Sequence, residues 1–339
     1  MHIFEIVRSL IWRIEPKWFL VANHSTLLIY GLYSSCLQRT PLQIALAFGI
    51  GLPLELAIER LKKGANWHPW DQTKSAIVII LGLLIFLISR HWWFYGVAAV
   101  VALVSKSILL RPDGRHIYNP TGITILAMVA FFPNYVFVRG DQFNGTLLPF
   151  FSLLFFGSLA TTRANRWRAT ASYLVASLIT TLVITSTSPS YEFIRLFGPD
   201  FGAEGLLFML LMFTDPRTSP NKPVGQIAYG IILGILNISF RSAELAYSQF
   251  LALFMVSSFL MPLIDWGYEN PGRMRVLARK LSWTPSAAAQ TWIKRIFIGS
   301  IIVSMPLAWL TKTESWPWSH YPMFASSRKI ATTFVLRPA

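Results

Sequence analysis

Long apolar runs recur along most of the chain, and no other feature of the sequence restricts the fold as strongly. A helix that crosses a lipid bilayer needs about 20 consecutive, mainly apolar residues. Eleven segments are near that length or a little shorter, at about 18–37, 41–60, 74–90, 92–110, 121–138, 147–162, 169–186, 203–214, 224–240, 247–266 and 295–311. The sequence therefore predicts an all-α polytopic membrane protein.

The composition agrees with a lipid environment. Of the 339 residues, 54% are hydrophobic and only 13% are charged, which leaves too little polar surface for a soluble globule of this size. The eighth segment, 203–214, is short for a complete span. It is predicted to be tilted, partly buried in protein, or extended by its polar flank.

The lysines and arginines are distributed unevenly between the two sides of the predicted membrane. With the N-terminus in the cytoplasm, 21 of the 30 basic residues fall on the cytoplasmic side and 9 on the other, as the positive-inside rule requires. We therefore predict a bacterial inner-membrane protein with a cytoplasmic N-terminus and an extracytoplasmic C-terminus. This distribution accounts for the net charge of +15, so no nucleic-acid partner is predicted.

The chain is predicted to divide into five parts. They are an interfacial segment, 1–17, a transmembrane core, 18–270, a basic cytoplasmic loop, 271–294, an eleventh membrane helix, 295–311, and an extracytoplasmic tail, 312–339. The single cysteine, Cys36, excludes an intramolecular disulfide and any site that needs several thiolates. The six histidines are scattered, so no metal site is predicted.

Two polar stretches interrupt the apolar pattern on the predicted cytoplasmic side. The first, 111–122, reads RPDGRHIYNPTG. The second, 208–225, reads FMLLMFTDPRTSPNKPVG, in which an apolar run is followed directly by a polar, proline-rich cluster. Asn-Pro and Asp-Pro pairs disfavour a helical conformation before the proline and free backbone groups from helical hydrogen bonds. In a membrane those groups must be satisfied by protein, water or a ligand. Both stretches are therefore candidate functional sites.

These stretches, together with Glu55–Lys63 and Phe259–Asp265, carry a family resemblance. Gly114–Thr121 resembles a segment ending in Phe-Asn-Pro, and Phe213–Pro220 resembles a Thr-Asp-Pro segment, of the NQR2/RnfD/RnfE family. The family includes RnfD, from the Rnf complex, and NqrB, from the sodium-pumping NADH:quinone reductase. The resemblance covers about 18–270 and implies a ten-helix RnfD-like core of two five-helix repeats. The chain departs from the family at its C-terminus, where the apolar segment 295–311 predicts an eleventh membrane helix. The chain resembles the stand-alone type found in natural-product gene clusters, including those for enediynes.

The resemblance also implies a flavin, either flavin mononucleotide (FMN) or riboflavin. In the family, a Ser-Gly-Ala-Thr motif after the seventh span attaches FMN through its threonine. Here the corresponding stretch, 184–190, reads ITSTSPS. The motif is absent, and Thr185 and Thr187 are the threonine hydroxyls that a phosphoester would use. The other candidate cofactor-binding residues lie in the two polar stretches and are Asn119, Pro120, Thr121, Thr214, Asp215 and Arg217.

Several of these candidates also have a purely structural interpretation. Asn119 and Thr121 are typical of a plain turn beside a proline. Asp215 and Arg217 are typical of a helix end with solvated charges. Glu55 lies deeper in its predicted helix and must be protonated, paired or bound to a cation. It is a candidate for a proton or sodium path, or for burial in a protein–protein contact.

Three further polar residues are predicted to serve the fold. His24 and Asn237 lie inside predicted spans, where polar side chains form interhelical hydrogen bonds more often than they contact ligands. Asp265, at the end of the tenth span, is predicted to cap a helix or to form an ion pair.

The sequence supports three functional hypotheses. The first is a flavin-linked membrane subunit of an RnfD/NqrB-like electron-transport system, not catalytic alone. Such a subunit would work with other membrane or peripheral redox subunits, and would be coupled to ion transport or serve a biosynthetic pathway. The second is a small-solute or ion transporter or channel on the same scaffold. The third is a structural membrane subunit without a cofactor.

Overall fold

The computed structural model describes residues 14–64, 69–111, 113–138, 143, 146–188 and 191–269. The predicted basic loop, the eleventh membrane helix and the C-terminal tail, at 271–294, 295–311 and 312–339, lie outside these residues. So does nearly all of the predicted interfacial segment, 1–17. The division of the chain into five parts therefore stays a prediction.

The described residues form eleven helices and one small antiparallel sheet. The helices are α1 (Pro16–Tyr33), α2 (Pro41–Lys63), α3 (Pro69–Phe86), α4 (Phe94–Ile108), α5 (Pro120–Phe131), α6 (Leu147–Arg163), α7 (Trp167–Thr187), α8 (Phe193–Phe197), α9 (Ala203–Met212), α10 (Pro223–Ser242) and α11 (Ser248–Met255, Val256–Leu260 and Met261–Glu269). A 3₁₀ turn, Gly198–Phe201, follows α8. Strands β1 (Leu87–Ile88) and β2 (Phe137–Val138) pair so that Leu87 lies opposite Val138.

Proline is the first residue of five of these helices, α3 among them. Helices α1, α2, α5 and α10 each begin with a proline in the first turn, where its missing N–H removes no helical hydrogen bond and its fixed φ suits the helix. Helix α2 is also capped by Thr40, whose side chain accepts a hydrogen bond from the Gln43 N–H while the Gln43 side chain accepts one from the Thr40 N–H. These local signals explain why the helices begin where they do.

In the part of the chain that the structure describes, four helices are long and apolar enough to cross a membrane: α2, α7, α10 and residues Ser248–Asp265 of α11. On α7, several apolar side chains remain more than half exposed, including Val175, Ile179 and Val183, as expected for a face that meets lipid tails rather than water. The chain is therefore an all-α, multi-pass membrane protein.

Each of the first ten predicted segments overlaps a helix, but among the described residues only four of those helices are long and apolar enough for a full span. The count of ten membrane spans in the core stays a prediction. For the eighth segment, the structure favours burial in protein, because α9 has only ten residues and its side chains from Leu206 to Met212 are all buried.

Helices α7 and α10 pack against each other along most of their length. Gly230 and Gly234 of α10 make this possible, because a Cβ atom at these positions would lie 2.3 Å from the Ala169 carbonyl oxygen and 2.6 Å from the Tyr173 carbonyl oxygen. The two glycines form a Gly-x-x-x-Gly pattern, which allows close approach of helices in membranes. Sequence reasoning overlooked this pattern.

The two halves of the bundle share one feature. Helix α2 packs along α4 in the first half, as α7 packs along α10 in the second, so in each half the second and fourth long helices are paired. Two five-helix repeats would require this arrangement, and the repeat itself stays a prediction. We call the end of the bundle at which α7 begins the near end, and the end at which α7 finishes the far end.

Candidate cofactor site at the near end

The two polar stretches predicted from the sequence meet at the near end. The Asn119 side chain donates a hydrogen bond from Nδ2 to the Met212 carbonyl oxygen, 3.2 Å away, at the end of α9. Its Oδ1 accepts a hydrogen bond from the Gly122 N–H at 3.0 Å and so caps α5. Asn119 therefore performs the turn-and-cap role and also joins the two stretches.

The neighbouring residues Pro120 and Thr121 face the protein. Pro120 opens α5 and is buried. Thr121 is also buried, and its methyl group lies 3.1 Å from the position that a Cβ on Gly82 of α3 would occupy. These two predicted site residues pack between helices.

The second stretch forms a tight turn around Asp215. The Thr214 hydroxyl donates to the Leu210 carbonyl oxygen at 2.7 Å, and the Asp215 carboxylate accepts from the Arg217 N–H at 3.0 Å. The Asp215 carbonyl oxygen accepts hydrogen bonds from the N–H groups of Thr218 and Ser219. Burial raises the pKa of Asp215, against the opposing effects of the Arg217 N–H and of nearby positive charges.

Three arginines hold this turn in place. Arg166 donates to the Ser219 hydroxyl at 2.8 Å and to the Asn221 side-chain oxygen. Arg115 and Arg111 each donate to a backbone carbonyl oxygen of the turn at 3.4 Å, those of Ser219 and Thr218. The turn is thus fixed to the loops that precede α5 and α7.

Asp265 of α11 completes this assembly. It forms ion pairs of 3.0 Å with Arg111 and 3.3 Å with Arg115, so its predicted ion pairing is confirmed. The contacts join α11, the loop before α5 and the turn after α9 in one polar cluster. Sequence reasoning did not single out Arg111 or Arg166, whose partners lie far away along the chain.

Arg217 and His116 face each other at the edge of the cluster. The Arg217 Nη1 atom lies 3.4 Å from the His116 Nε2 atom. Burial, followed by the positive charges of Arg217, Lys106 and Lys62, lowers the pKa of His116 to about 4. The imidazole is therefore neutral at physiological pH and accepts a hydrogen bond from the guanidinium.

This geometry predicts an acid-dependent loss of stability. The unfolded chain takes up a proton on His116 near pH 6.5, whereas the folded protein does so only near pH 4. Because the unfolded state binds more protons in that window, the free energy of unfolding falls as the pH falls from 6.5 to 4. We expect this decrease in the free energy of unfolding between pH 6.5 and pH 4 to be about 2 kcal/mol smaller in His116→Gln than in the parent.

The measurement is thermal unfolding of the detergent-purified protein across that pH range. His91→Gln is the matched control, because His91 is exposed at the far end and its ring contacts Tyr135. Equal pH dependence in the parent and in His116→Gln would contradict the prediction.

Glu55 lies near the cluster, and of the three predicted states the structure shows the paired one. Its carboxylate forms an ion pair with Lys106 of α4, and both side chains are buried. The second carboxylate oxygen, Oε2, has no hydrogen-bond partner in the part of the chain that the structure describes. The role of Glu55 in an ion path stays a prediction. Sequence reasoning did not predict Lys106 as the partner of Glu55. The feature that could have indicated it is a single positive charge inside an otherwise apolar helix.

Thr185 and Thr187 lie at the far end, away from the other candidates. Their hydroxyls donate to carbonyl oxygens one turn earlier in α7, at 2.9 Å each. Helix α7 has 21 residues and so separates these threonines from the near-end cluster by about 30 Å. The predicted cofactor residues thus form two groups, not one.

The near-end side chains do not fit a whole flavin as they stand. The polar atoms of Asn119 and the Thr214 hydroxyl are used within the chain. The adjoining crevice, beside the stacked rings of Tyr118 and Phe254, has a cavity volume of only about 10 Å³, about the room for one water molecule and far below the usual range of about 300–1,000 Å³ for ligand pockets. Thr187 is exposed, so its surroundings leave room for a phosphoester.

The two polar residues predicted to form interhelical hydrogen bonds differ in outcome. Asn237 of α10 donates to the Tyr173 hydroxyl of α7 at 2.7 Å, which confirms the prediction. For His24 the prediction is wrong, because the hydrogen bond of its Nδ1 atom joins it to the Leu20 carbonyl oxygen of its own helix at 2.8 Å.

Comparison with known proteins finds a family match in the second half of the chain. Residues 145–272 match the NQR2, RnfD, RnfE family. The NqrB subunit of the Na(+)-translocating NADH-quinone reductase of Chromohalobacter salexigens is 22% identical over 143 residues, which cover 39% of this chain and 33% of that protein. The matched part thus spans about a third of the relative's length. The match to the NQR2, RnfD, RnfE family thus covers residues 145–272, which include the turn after α9.

Proposed function

We propose that the protein is a flavin-linked membrane subunit of an Rnf/NQR-type electron-transport system. It would lie in a bacterial inner membrane, with a cytoplasmic N-terminus, and would act with other membrane or peripheral redox subunits. Its electron transfer would be coupled to ion transport or would serve a biosynthetic pathway. The family match supports this proposal, because it includes α7 with its terminal threonines and the Thr-Asp-Pro turn.

The observation that carries the proposal is the fixed turn after α9. Non-helical backbone at membrane depth is tolerated only where protein or a water-filled cavity satisfies it. Here Asn119 and three arginines hold the turn by side-chain hydrogen bonds. Arg217 at its tip is exposed and close to His116. A rigid, basic surface of this kind suits an anionic group of a peripheral redox partner.

A flavin would supply the electron-transfer chemistry that the amino acids lack. Of the candidate residues, Thr187 is the one we propose as its attachment point. Its hydroxyl is exposed at the end of a long, well-packed helix. A phosphoester there would place the group at the far end, opposite the basic surface.

The visible absorption spectrum of the detergent-purified protein tests this proposal. The sample is measured as purified, then denatured and filtered to separate bound from released pigment. We expect flavin to stay with the denatured parent chain and to be lost in Thr187→Ala. Ser186→Ala is the matched control, because Ser186 is a neighbouring exposed hydroxyl with a similar hydrogen bond, to the Val183 carbonyl oxygen, and it should retain the flavin.

Other outcomes point elsewhere. Flavin that passes the filter after denaturation would reject Thr187 as the attachment point and direct attention to Asn119, Asp215 and Arg217. Absence of flavin, both as purified and after incubation with FMN and riboflavin, would reject the flavin-linked function. The transporter and the cofactor-free subunit would then be the remaining hypotheses.

A further inference from the structure

A short segment at the far end closes the second half of the bundle. Residues 191–202, which we call the strap, contain α8 and the 3₁₀ turn that follows it and connect α7 to α9. Helix α8 packs on α7 and α10. On the strap, Ile194 and Arg195 of α8 are exposed. Leu196 and Phe197 of α8 and Asp200 of the 3₁₀ turn are buried.

Two ion pairs fasten the strap to the end of α10. Arg195 of the strap lies 3.4 Å from Glu244, and both side chains are exposed. Asp200 accepts a hydrogen bond from Arg241 at 2.9 Å, and its side chain is almost completely buried. Arg241 also donates to the Leu196 carbonyl oxygen of the strap. The Asp200–Arg241 pair is thus the inner fastening, and the Arg195–Glu244 pair is the outer one.

The inner fastening belongs to a buried polar network. Asn237 of α10 donates to Asp200 at 3.4 Å and to the Tyr173 hydroxyl of α7 at 2.7 Å. Ser248, at the start of α11, donates to the Asn237 side-chain oxygen at 3.0 Å. Burial of a network this polar is favourable only when its members are paired. Even so, the Asp200 Oδ2 atom has no hydrogen-bond partner among the described residues.

A polar stripe of α7 continues from this network. Tyr173, Ser177 and Thr181 are four residues apart and share one face of α7, and all three are buried. The Thr181 hydroxyl, like Asp200 Oδ2, has no hydrogen-bond partner within the described ranges. A buried hydroxyl without a partner raises the free energy of the closed state relative to a state in which water reaches the hydroxyl.

The strap is also too short to be stable by itself. Helix α8 has five residues and the 3₁₀ turn has four, and isolated helices of that length do not persist in water. Its position therefore depends on its side-chain fastenings and on the packing of Leu196 and Phe197. Loss of the Asp200–Arg241 ion pair would therefore weaken the contact between the buried face of the strap and α10.

We propose that the strap is a movable lid, latched by the Asp200–Arg241 pair, that covers the polar stripe of α7 and admits water to it when it opens. The closed state is the one described above. In the open state, water reaches Asp200 Oδ2 and the Thr181 hydroxyl from the far end. This inference is independent of the flavin and of the near-end cluster.

Thiol labelling of the detergent-purified full chain tests the lid. Cys36→Ser supplies a background without cysteine, and Thr181→Cys reports access to the stripe by a hydrophilic maleimide. We expect labelling to be slow in this parent and more than about tenfold faster when Asp200→Asn is added. Glu244→Gln, which removes only the exposed pair, is the matched control and should change the rate by less than about twofold.

Two more cysteine positions make the outcome unambiguous. Thr187→Cys is exposed and should label rapidly in every background. Ala99→Cys, buried in α4, should stay unlabelled, so faster labelling there would show general loosening and would overturn the proposal. Labelling of Thr181→Cys that Asp200→Asn does not accelerate, or that already matches Thr187→Cys in the parent, would overturn it as well.

A second variant covers the case in which Asp200→Asn fails to fold. The double variant Asp200→Asn, Arg241→Gln removes both charges and leaves neither one unpaired in the interior. It should also accelerate labelling of Thr181→Cys. If this folded double variant labels as slowly as the parent, the latch has no role in closing the strap.

Discussion

Replacing Lys106 with alanine is expected to lower the free energy of unfolding by about 3–5 kcal/mol. Lys106 pairs with Glu55 between α4 and α2, and both residues are less than 5% exposed. The truncation leaves the Glu55 carboxylate buried without its cation, and an uncompensated buried charge is far less favourable than the intact pair. Denaturant or thermal unfolding of the purified protein measures the effect.

The matched control is Lys63→Ala, on the same α2 helix that carries Glu55. Lys63 forms a 3.4 Å ion pair with Glu59, and its side chain is 41% exposed, so its loss should change the free energy of unfolding by less than about 1 kcal/mol. The double variant Glu55→Gln, Lys106→Met should recover much of the stability that Lys106→Ala loses. Equal effects of Lys106→Ala and Lys63→Ala would contradict the prediction.

The Glu55–Lys106 pair also limits how Glu55 could serve an ion path. A cation that approaches the carboxylate meets the Lys106 ammonium group already bound there. Ion binding at the Oε1 atom of Glu55 would therefore require Lys106 to move. This condition follows from the structure, because the sequence left open whether Glu55 was protonated, paired or bound to a cation.

The sequence predicted the helices better than it predicted their ends. Apolar composition predicted 74–90 as one segment, yet α3 ends at Phe86 and β1 follows. The Arg39 side chain accounts for this end, since it donates to the carbonyl oxygens of Leu84 and Leu87 at 2.9 and 2.5 Å. An apolar count cannot detect a helix end whose free carbonyls are satisfied by an arginine more than 40 residues away in sequence.

For the candidate site, too, the sequence predicted some features and not others. Local chemistry was sufficient to find both polar stretches and to predict that Asp265 caps a helix or forms an ion pair. It was insufficient to find the arginine contacts, because Arg111 and Asp265 are 154 residues apart and Arg166 and Ser219 are 53 apart. No periodicity connects such residues, so only the packing of α5, α7 and α11 brings them together.

Gly230→Val is expected to lower the free energy of unfolding by about 3 kcal/mol, near the upper end for overpacking in a close-packed interior. A Cβ atom at this position would lie 2.2 Å from the Ser172 Oγ atom and 2.3 Å from the Ala169 carbonyl oxygen. The second of these contacts is to backbone, which no side-chain rotation relieves. The gain in helix propensity on replacing glycine, under about 1 kcal/mol, is too small to offset this clash.

Gly49→Val is the matched control for this substitution, because a Cβ atom on Gly49 of α2 would meet no atom within 4 Å. Thermal unfolding and gel filtration in detergent should show Gly49→Val close to the parent and Gly230→Val clearly less stable. Equal stability of the two variants would mean that α7 and α10 separate at little cost. The effect should be large because α10 also carries Asn237 and Arg241, so a wider gap to α7 would weaken the far-end polar network as well as the helix contact.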